Sequence, residues 1–325
     1  MENLEDRRLL AAVLFDPGAV GDGTKSVEEW GVDTAWPSYD NVRRSVENIG
    51  LGNVDVVRVN FFLEEALNPD GSLTASAKGL IDNQLGLADL APGTPIALTP
   101  SIGNVNAYYR DGSNVHVDHW IDVMKATQQY VVQQSGRTVS AIEPFNEPDY
   151  WAGQGTPEEL NTIMTMMAAD PAFDEVLIQG ASTLSSENSY FWYDRIREPA
   201  TSGSTHLLGS GPDALASYAG FFPYVKNGSP DDVPYNPEVH SMAEVIVGAD
   251  RGMQGGIFWG VVERPRAQFV QPSDGVRLGY AEDLVDQSAA AVYRGPDGQI
   301  RGFAGGIERA GNPTQYEFTS TGGSV

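Results

Sequence analysis

The chain has 325 residues, with 44 acidic against 20 basic side chains and a net charge of −24. A surface of that sign repels phosphate and anionic headgroups, which excludes nucleic acid and anionic membranes as expected partners. Cysteine is absent, so disulfides, thiolate catalysis and cysteine-based metal sites are excluded too, and no apolar run approaches a membrane span.

The length suits one α/β barrel with some additional chain. The start, Met1-Glu2-Asn3-Leu4-Glu5-Asp6-Arg7-Arg8, is charged and lacks the apolar segment of a signal peptide. The expectation is a secreted protein whose leader lies outside this sequence, with a cytoplasmic protein as the alternative. A monomer is expected.

Leu9 to Asp16, closed by Asp16-Pro17-Gly18, reads as the first strand. A polar, glycine-rich loop with Trp30 and Trp36 follows. Asp40 to Ile49 has helical spacing, with Val42, Val46 and Ile49 on one face and Asp40 or Asn41 as cap. Val54 to Phe61 reads as strand two, Ala75 to Leu90 as a helix, Pro95 to Pro100 as strand three and Val117 to Gln134 as the longest helix. Strand four is the apolar stretch from Val139 that runs into Asn146-Glu147-Pro148. Proline has no N–H for a ladder and restricts the residue before it, so that strand stops there with Glu147 at its carboxyl end.

Thr156-Pro157-Glu158-Glu159 supplies a cap, a first-turn proline and acids for a helix reaching Ala169. Glu175 to Ala181, Gly203 to Leu208, Val233 to His240 and Gly255 to Gly260 read as strands five to eight. Helices at Asn188 to Arg197, Asp213 to Val225 and Ser241 to Met253 separate them, and Glu282 to Val292 reads as the closing helix. Strands alternating with helices at this repeat predict a (β/α)8 TIM barrel over residues 1–292. The rival doubly wound sheet calls for a glycine-rich phosphate turn after strand one, but the turn beginning at Asp16 contains acids.

Residues 293–325 predict a short β-rich tail. Ala291 to Arg294 and Ile300 to Ile307 flank the turn Pro296-Asp297-Gly298, and Thr314 to Thr319 is a third run. This tail either packs on the barrel or begins an accessory β-domain, and its last six residues are expected to fray.

Chemistry is expected at the carboxyl ends of the strands. Glu238, in Pro237-Glu238-Val239-His240-Ser241, sits at the end of strand seven as Glu147 does on strand four. Those strands lie across a barrel mouth from each other. Two carboxyl groups flanking one bond is what glycoside hydrolysis needs: one protonates the departing oxygen while the other attacks or activates water. Arg58 on strand two, His206 on strand six, His240 and the terminal Trp259 of strand eight are candidate supporting groups. Trp36, Tyr150 and Trp151 are loop aromatics that extend a sugar-stacking platform. Glu143 reads as a structural carboxylate paired inside or below the barrel, and Glu263 as either a cleft or a solvated loop acid. His116-Val117-Asp118-His119 has metal-ligand spacing but no evident third ligand, so neither metal nor cofactor is expected.

Asn146-Glu147-Pro148, the strand-seven glutamate and the strand-eight tryptophan together resemble clan A of the retaining glycoside hydrolases. The resemblance implies Glu147 as acid/base, Glu238 as nucleophile, Asn146 on the sugar 2-hydroxyl and Trp259 beneath the sugar. Trp30 to Trp36, Val56 to Val59, Phe145 to Trp151, Pro237 to Met242 and Gly302 to Arg309 resemble glycoside hydrolase family 86, which spans most of the chain. That likeness implies a β-agarase or β-porphyranase, endo-acting on red-algal galactans, with a polysaccharide or oligosaccharide as partner. Members of the family usually carry further β-sandwich domains after the barrel. For sulfated porphyran, Arg58, His206, Arg264 or Arg266 are the candidate sulfate contacts; a retaining glucanase, mannanase or xylanase and a non-catalytic glycan-binding barrel are the alternatives.

Overall fold

The computed structural model describes residues 11–21, 27–101, 108–112, 114–309, 311–312 and 314–322. Its first half runs β1 (Ala11–Phe15), β2 (Glu29–Asp33), α1 (Tyr39–Ile49), β3 (Val56–Phe61), α2 (Ala75–Ala88) and β4 (Ile96–Pro100). The two-residue strands β5 (Arg110–Asp111) and β6 (Asn114–Val115) precede α3 (Val117–Ser135), β7 (Val139–Ile142) and α4 (Pro157–Ala169). Next come β8 (Leu177–Thr183), α5 (Ser186–Ile196), β9 (Ser202–Thr205), α6 (Ala214–Gly228), β10 (Val233–Val239), α7 (Met242–Arg251), β11 (Gly255–Phe258) and α8 (Arg264–Ser273). Four strands finish the chain: β12 (Val276–Asp283), β13 (Ser288–Arg294), β14 (Ile300–Gly306) and β15 (Tyr316–Ser320).

Strands β2, β3, β4, β7, β8, β9, β10 and β11 pair in that order and close on themselves, all parallel. This is the (β/α)8 TIM barrel. The period-2 alternation of a strand sorts its side chains. In β3, Val57, Val59 and Phe61 enter the core shared with the helices. Val56 instead joins Ala97, Ala141, Tyr235 and Ile257 in a small separate cluster, an apolar floor inside the barrel. Arg58 comes two residues after Val56, so it points to the same side, one pleat nearer the strand ends. The helices are stopped and started by local chemistry: Thr156 and Glu159 form a reciprocal capping box at α4, with Pro157 in its first turn.

Three expectations are corrected. The first barrel strand is β2, whereas β1 lies outside the barrel and pairs in parallel with β15. β2 resembled a loop because of Gly31, whose missing side chain is a packing requirement. A Cβ there would lie 2.5 Å from Val56 Cγ1 and 2.8 Å from the Val56 carbonyl oxygen. The closing helix is α8, not Glu282 to Val292; that stretch contributes to β12 and β13, which with β14 form an antiparallel sheet. The alanines at 289–291 suit a helix but lie fully buried in this sheet, where a small side chain lets it sit close to its neighbours. Finally, Ser38, not Asp40 or Asn41, caps α1.

The strands after the barrel share its core: Ala289, Ala291, Tyr293, Phe303 and Ile307 belong to the same buried cluster as the barrel's outer side chains. Of the six terminal residues expected to fray, 323–325 lie outside the described residues. Among the described residues no helix is long and apolar enough to cross a membrane.

Candidate active site

The carboxyl ends of the barrel strands meet around Arg58. Its Nη1 donates to Asp33 Oδ2 at 3.0 Å and to Glu238 Oε1 at 2.5 Å. The two N–H groups of Nη2 are shared among Thr99 Oγ1 at 3.0 Å, Glu143 Oε1 at 3.1 Å and Asn146 Oδ1 at 3.1 Å. One planar cation thus ties together residues from the first, second, third, fourth and seventh barrel strands or their ends, as only a guanidinium's fork of donors permits. Glu143 is also held by the hydroxyls of Thr99 and of Ser182, the latter at 2.7 Å, and so lies in the barrel interior as a paired structural carboxylate.

Glu147 follows β7 in a tight turn. It is buried, and its φ of 52° lies in the left-handed region that costs a non-glycine residue about 1–3 kcal/mol. Its N–H donates to the carbonyl of Ser182 at 2.8 Å, and its carbonyl accepts from Tyr150 and Trp151 N–H at 3.0 and 2.8 Å. Ser182, its partner, also has a positive φ, 50°. The turn is closed by Asp149, whose carboxylate accepts from the N–H groups of Leu184 and Ser185, and by Gln154, which bonds both backbone groups of Asn146. Surrounding contacts therefore hold Glu147 in a conformation it would not choose alone.

Glu147 and Glu238 converge. With His206 they bring one side-chain atom each to within 4.8 Å of one another. His206 Nδ1 lies 3.3 Å from Glu147 Oε1 and 3.7 Å from Glu238 Oε2, so it sits between the two acids and is fully buried. His240 Nε2 approaches Glu238 Oε2 at 3.4 Å, and Trp259 stacks on the His240 ring at 4.9 Å. Trp36, Tyr150 and Trp151 are exposed on segments that follow the carboxyl ends of β2 and β7.

Burial alone would raise the Glu238 pKa, but the charge of Arg58 outweighs it, His206 and His240 add to that, and the carboxyl is held far below its usual range. Asp33 goes the other way: burial dominates Arg58 and pushes it up to about 6. His240 is disfavoured as a cation by burial, yet its bonds to Glu238 and Glu308 raise its pKa to about 9. For His206 burial is likewise overcome, by the charge of Glu238 and the bond to Glu147, and the shift is upward. Glu238 is therefore an anion throughout the neutral range, flanked by three basic groups.

Glu147, His206 and Glu238 are also the only described group of three residues with a metal-ligating arrangement. A guanidinium 2.5 Å from Glu238 opposes a second cation there, so no metal role is assigned. His119 is engaged elsewhere: its Nδ1 bonds the Tyr108 carbonyl and its ring stacks on Tyr108 at 4.1 Å. Arg266 is spent on Glu263 at 2.6 Å and on the carbonyls of Val239 and Val261, which corrects its candidacy for sulfate and makes Glu263 its partner.

Asp33, Thr99, Ser182 and Glu308 were not anticipated. Thr99 carried a usable signal: it lies two residues after Ala97, on the strand face that also floors the barrel. Glu308 carried none, being 68 positions beyond His240 in sequence.

No family model and no curated protein matches the chain. Among solved structures it is similar to a GH30 endoxylanase from Clostridium papyrosolvens, with 16% identity, 87% of this chain and 84% of that one covered, and a TM-score of 0.59. It is also similar to an endo-β1,6-glucanase (11% identity, 90% and 85% covered, TM-score 0.55). A third is a GH5_18 structure from Bifidobacterium longum subsp. infantis (12% identity, 75% and 78% covered, TM-score 0.54). The structures bearing these names share this chain's barrel fold.

Proposed function

We propose that the protein is a retaining endo-glycoside hydrolase acting on a β-linked polysaccharide, with Glu238 as nucleophile and Glu147 as acid/base. The observation that carries the reading is the approach of the two acids to within 4.8 Å, the short spacing of a double-displacement pair rather than the roughly 6.5–9.5 Å that leaves room for an inverting water. In the first step Glu147 gives its proton to the glycosidic oxygen, the C1–O bond breaks, and a Glu238 oxygen bonds to C1. In the second, Glu147 takes a proton from water, the water oxygen bonds to C1, and the C1–Glu238 bond breaks. Arg58 and the histidines keep Glu238 ionised and oriented for attack. The barrel fold shared with proteins named as glycoside hydrolases supports the same class.

The substrate reading is a red-algal galactan, agarose before porphyran, by the resemblance to family 86. The second reading is a xylan or β-glucan, favoured by the names endoxylanase and endo-β1,6-glucanase among the structural neighbours. Polymers of either kind are met outside the cell, which agrees with secretion.

The test is reducing-end release from agarose, porphyran, xylan and β-1,6-glucan, with product sizing. Glu147→Gln and Glu238→Gln should each lower turnover by about 10²-fold or more while circular dichroism stays native. Wild-type turnover in either variant removes its assigned role. Binding of these glycans without any cleavage by the unmutated protein points instead to a binding barrel.

A further inference from the structure

The segment after β14 reaches the catalytic end of the barrel. Ile307 is buried in the shared core and its N–H donates to the Gln287 carbonyl at 3.1 Å. Arg309 Nη1 donates to the carbonyl of Leu208 at 3.4 Å, two residues past His206. Between them, Glu308 Oε2 lies 2.9 Å from His240 Nδ1. The approach is close by design of the strand: a Cβ on Gly305 would stand 2.7 Å from Met242 Cβ, at the start of α7 and two residues from His240. The run from Gly305 to Arg309 therefore clasps the ends of the sixth and seventh barrel strands.

His240 is held from both sides. Nδ1 faces Glu308 and Nε2 faces Glu238 Oε2 at 3.4 Å, while Trp259 stacks on the ring with an interplanar angle of 27°. Neutral imidazole carries one N–H, so it can donate to only one of two carboxylates; donation to both needs the imidazolium.

We infer that Glu308 is a positioning residue of the site: by binding the outer nitrogen of His240, it keeps both ring nitrogens protonated and holds the inner one on Glu238. This rests on the reading of Glu238 as nucleophile. The strands that follow the barrel thereby supply a working part of the active site. The charged groups facing His240 are Glu238, two residues before it, and Glu244 on α7, which accepts from the backbone N–H of His240 at 3.1 Å. Glu308 comes from the tail with Arg309 beside it, His206 shares Glu238, and Arg266 on α8 reaches the Val239 carbonyl at 3.0 Å. The two groups in hydrogen-bond contact with the ring are carboxylates, in keeping with the raised His240 pKa of about 9. Removing Glu308 deletes one of the two hydrogen bonds that raise it, so the midpoint must fall.

The chain has only four histidines, so imidazole NMR titration resolves them, and the His240 signal is the one lost in His240→Gln. Glu308 is 45% exposed, so Glu308→Gln should fold. Its expected effect is a His240 midpoint lower by about one pH unit or more, partly restored in Glu308→Asp. With the polysaccharide that the unmutated protein cleaves, kcat should fall about fivefold at pH 9, where a midpoint lowered by one unit leaves about a tenth of the rings protonated, and by little at pH 6, with KM unchanged. An unmoved midpoint overturns the contact. A moved midpoint with no loss of kcat, or with the same loss at every pH, overturns the positioning role. A moved midpoint in a protein that cleaves none of the panel overturns the hydrolase reading, and the positioning role with it, while leaving the Glu308–His240 contact established.

Discussion

Replacing Arg58 with methionine tests the arrangement most directly, because the guanidinium holds three carboxylates and two neutral acceptors at once. Its side chain is 3% exposed, so water cannot substitute for it. The two neutral contacts, to Thr99 and Asn146 at 3.0 and 3.1 Å, are worth about 1 kcal/mol each. Stranding buried carboxylates is worse: breaking a buried pair by removing one partner costs about 3–5 kcal/mol. Arg58→Met should therefore lose about 6 kcal/mol at pH 7, read by equilibrium urea unfolding. The pH dependence gives the sharper check. In the native protein Glu238 has a depressed pKa, so its stabilisation is present above the unfolded value of about 4.3 and fades as pH falls below it. In the variant, burial is no longer opposed by Arg58, and the pKa values of Glu238 and Asp33 rise. Acids with raised pKa values regain stability as pH falls through those values. The gap between native and variant should thus shrink to about 2 kcal/mol near pH 4. A loss below about 1 kcal/mol at pH 7, or one of equal size at both pH values, would refute the argument.

Asp33→Asn isolates the opposite linkage. Asp33 is pushed up to about 6 from an unfolded value near 3.9, so the native protein should lose up to about 3 kcal/mol between pH 4 and pH 6; that slope should vanish from the variant's stability curve, and its persistence would assign it to another group. Gly31→Ala should destabilise by about 1–3 kcal/mol, because the new methyl meets the Val56 carbonyl, whereas Gly52→Ala, with nothing within 4 Å, should be neutral or mildly stabilising. Trp259→Ala should raise KM roughly 3- to 10-fold and leave kcat within a few-fold; an unchanged KM would remove Trp259 from the sugar site.

Proline made the reactive acids legible. β7 ends at Ile142, earlier than expected, and Glu147 lies in the turn that follows, with Pro148 after it; Pro237 precedes Glu238 near the end of β10, so each acid could still be placed at the barrel mouth from its neighbours alone. Strands two to eight were legible for a related reason, being short apolar runs between turn residues. β2 was not, because Gly31 lowers its strand propensity for the sake of a contact with Val56 that only the closed barrel creates. Alanines at 289–291 misled in the same way: their helix preference yields to a sheet that needs small side chains. The network around Arg58 was legible only in part. Arg58, Glu143 and Glu238 are conspicuous as charges on strands, but Asp33, Thr99 and Ser182 are 25, 41 and 124 residues from Arg58. Thr99 had a local signal in its place two residues after Ala97, but nothing local distinguishes Asp33 and Ser182 from others of their type; they become partners because the barrel brings every strand end to one axis.

The same geometry bears on what the site will accept. A sulfate on the sugar needs a cation free to meet it. Of the four candidates, Arg58 is enclosed by its five partners, Arg266 is engaged by Glu263 and two carbonyls, and His206 is fully buried between Glu147 and Glu238. Only Arg264, at the start of α8, is exposed. The other three are committed to carboxylates or backbone carbonyls, and diverting Arg58 to a sulfate would release the depressed pKa of Glu238, which the proposed mechanism needs. With 44 acids over the whole chain against 20 bases, long-range attraction does not compensate. The charges of this barrel are arranged to serve one another, so if the proposed glycosidase activity holds, a neutral glycan stacked on exposed aromatics such as Trp36, Tyr150 and Trp151 is expected over a sulfated one.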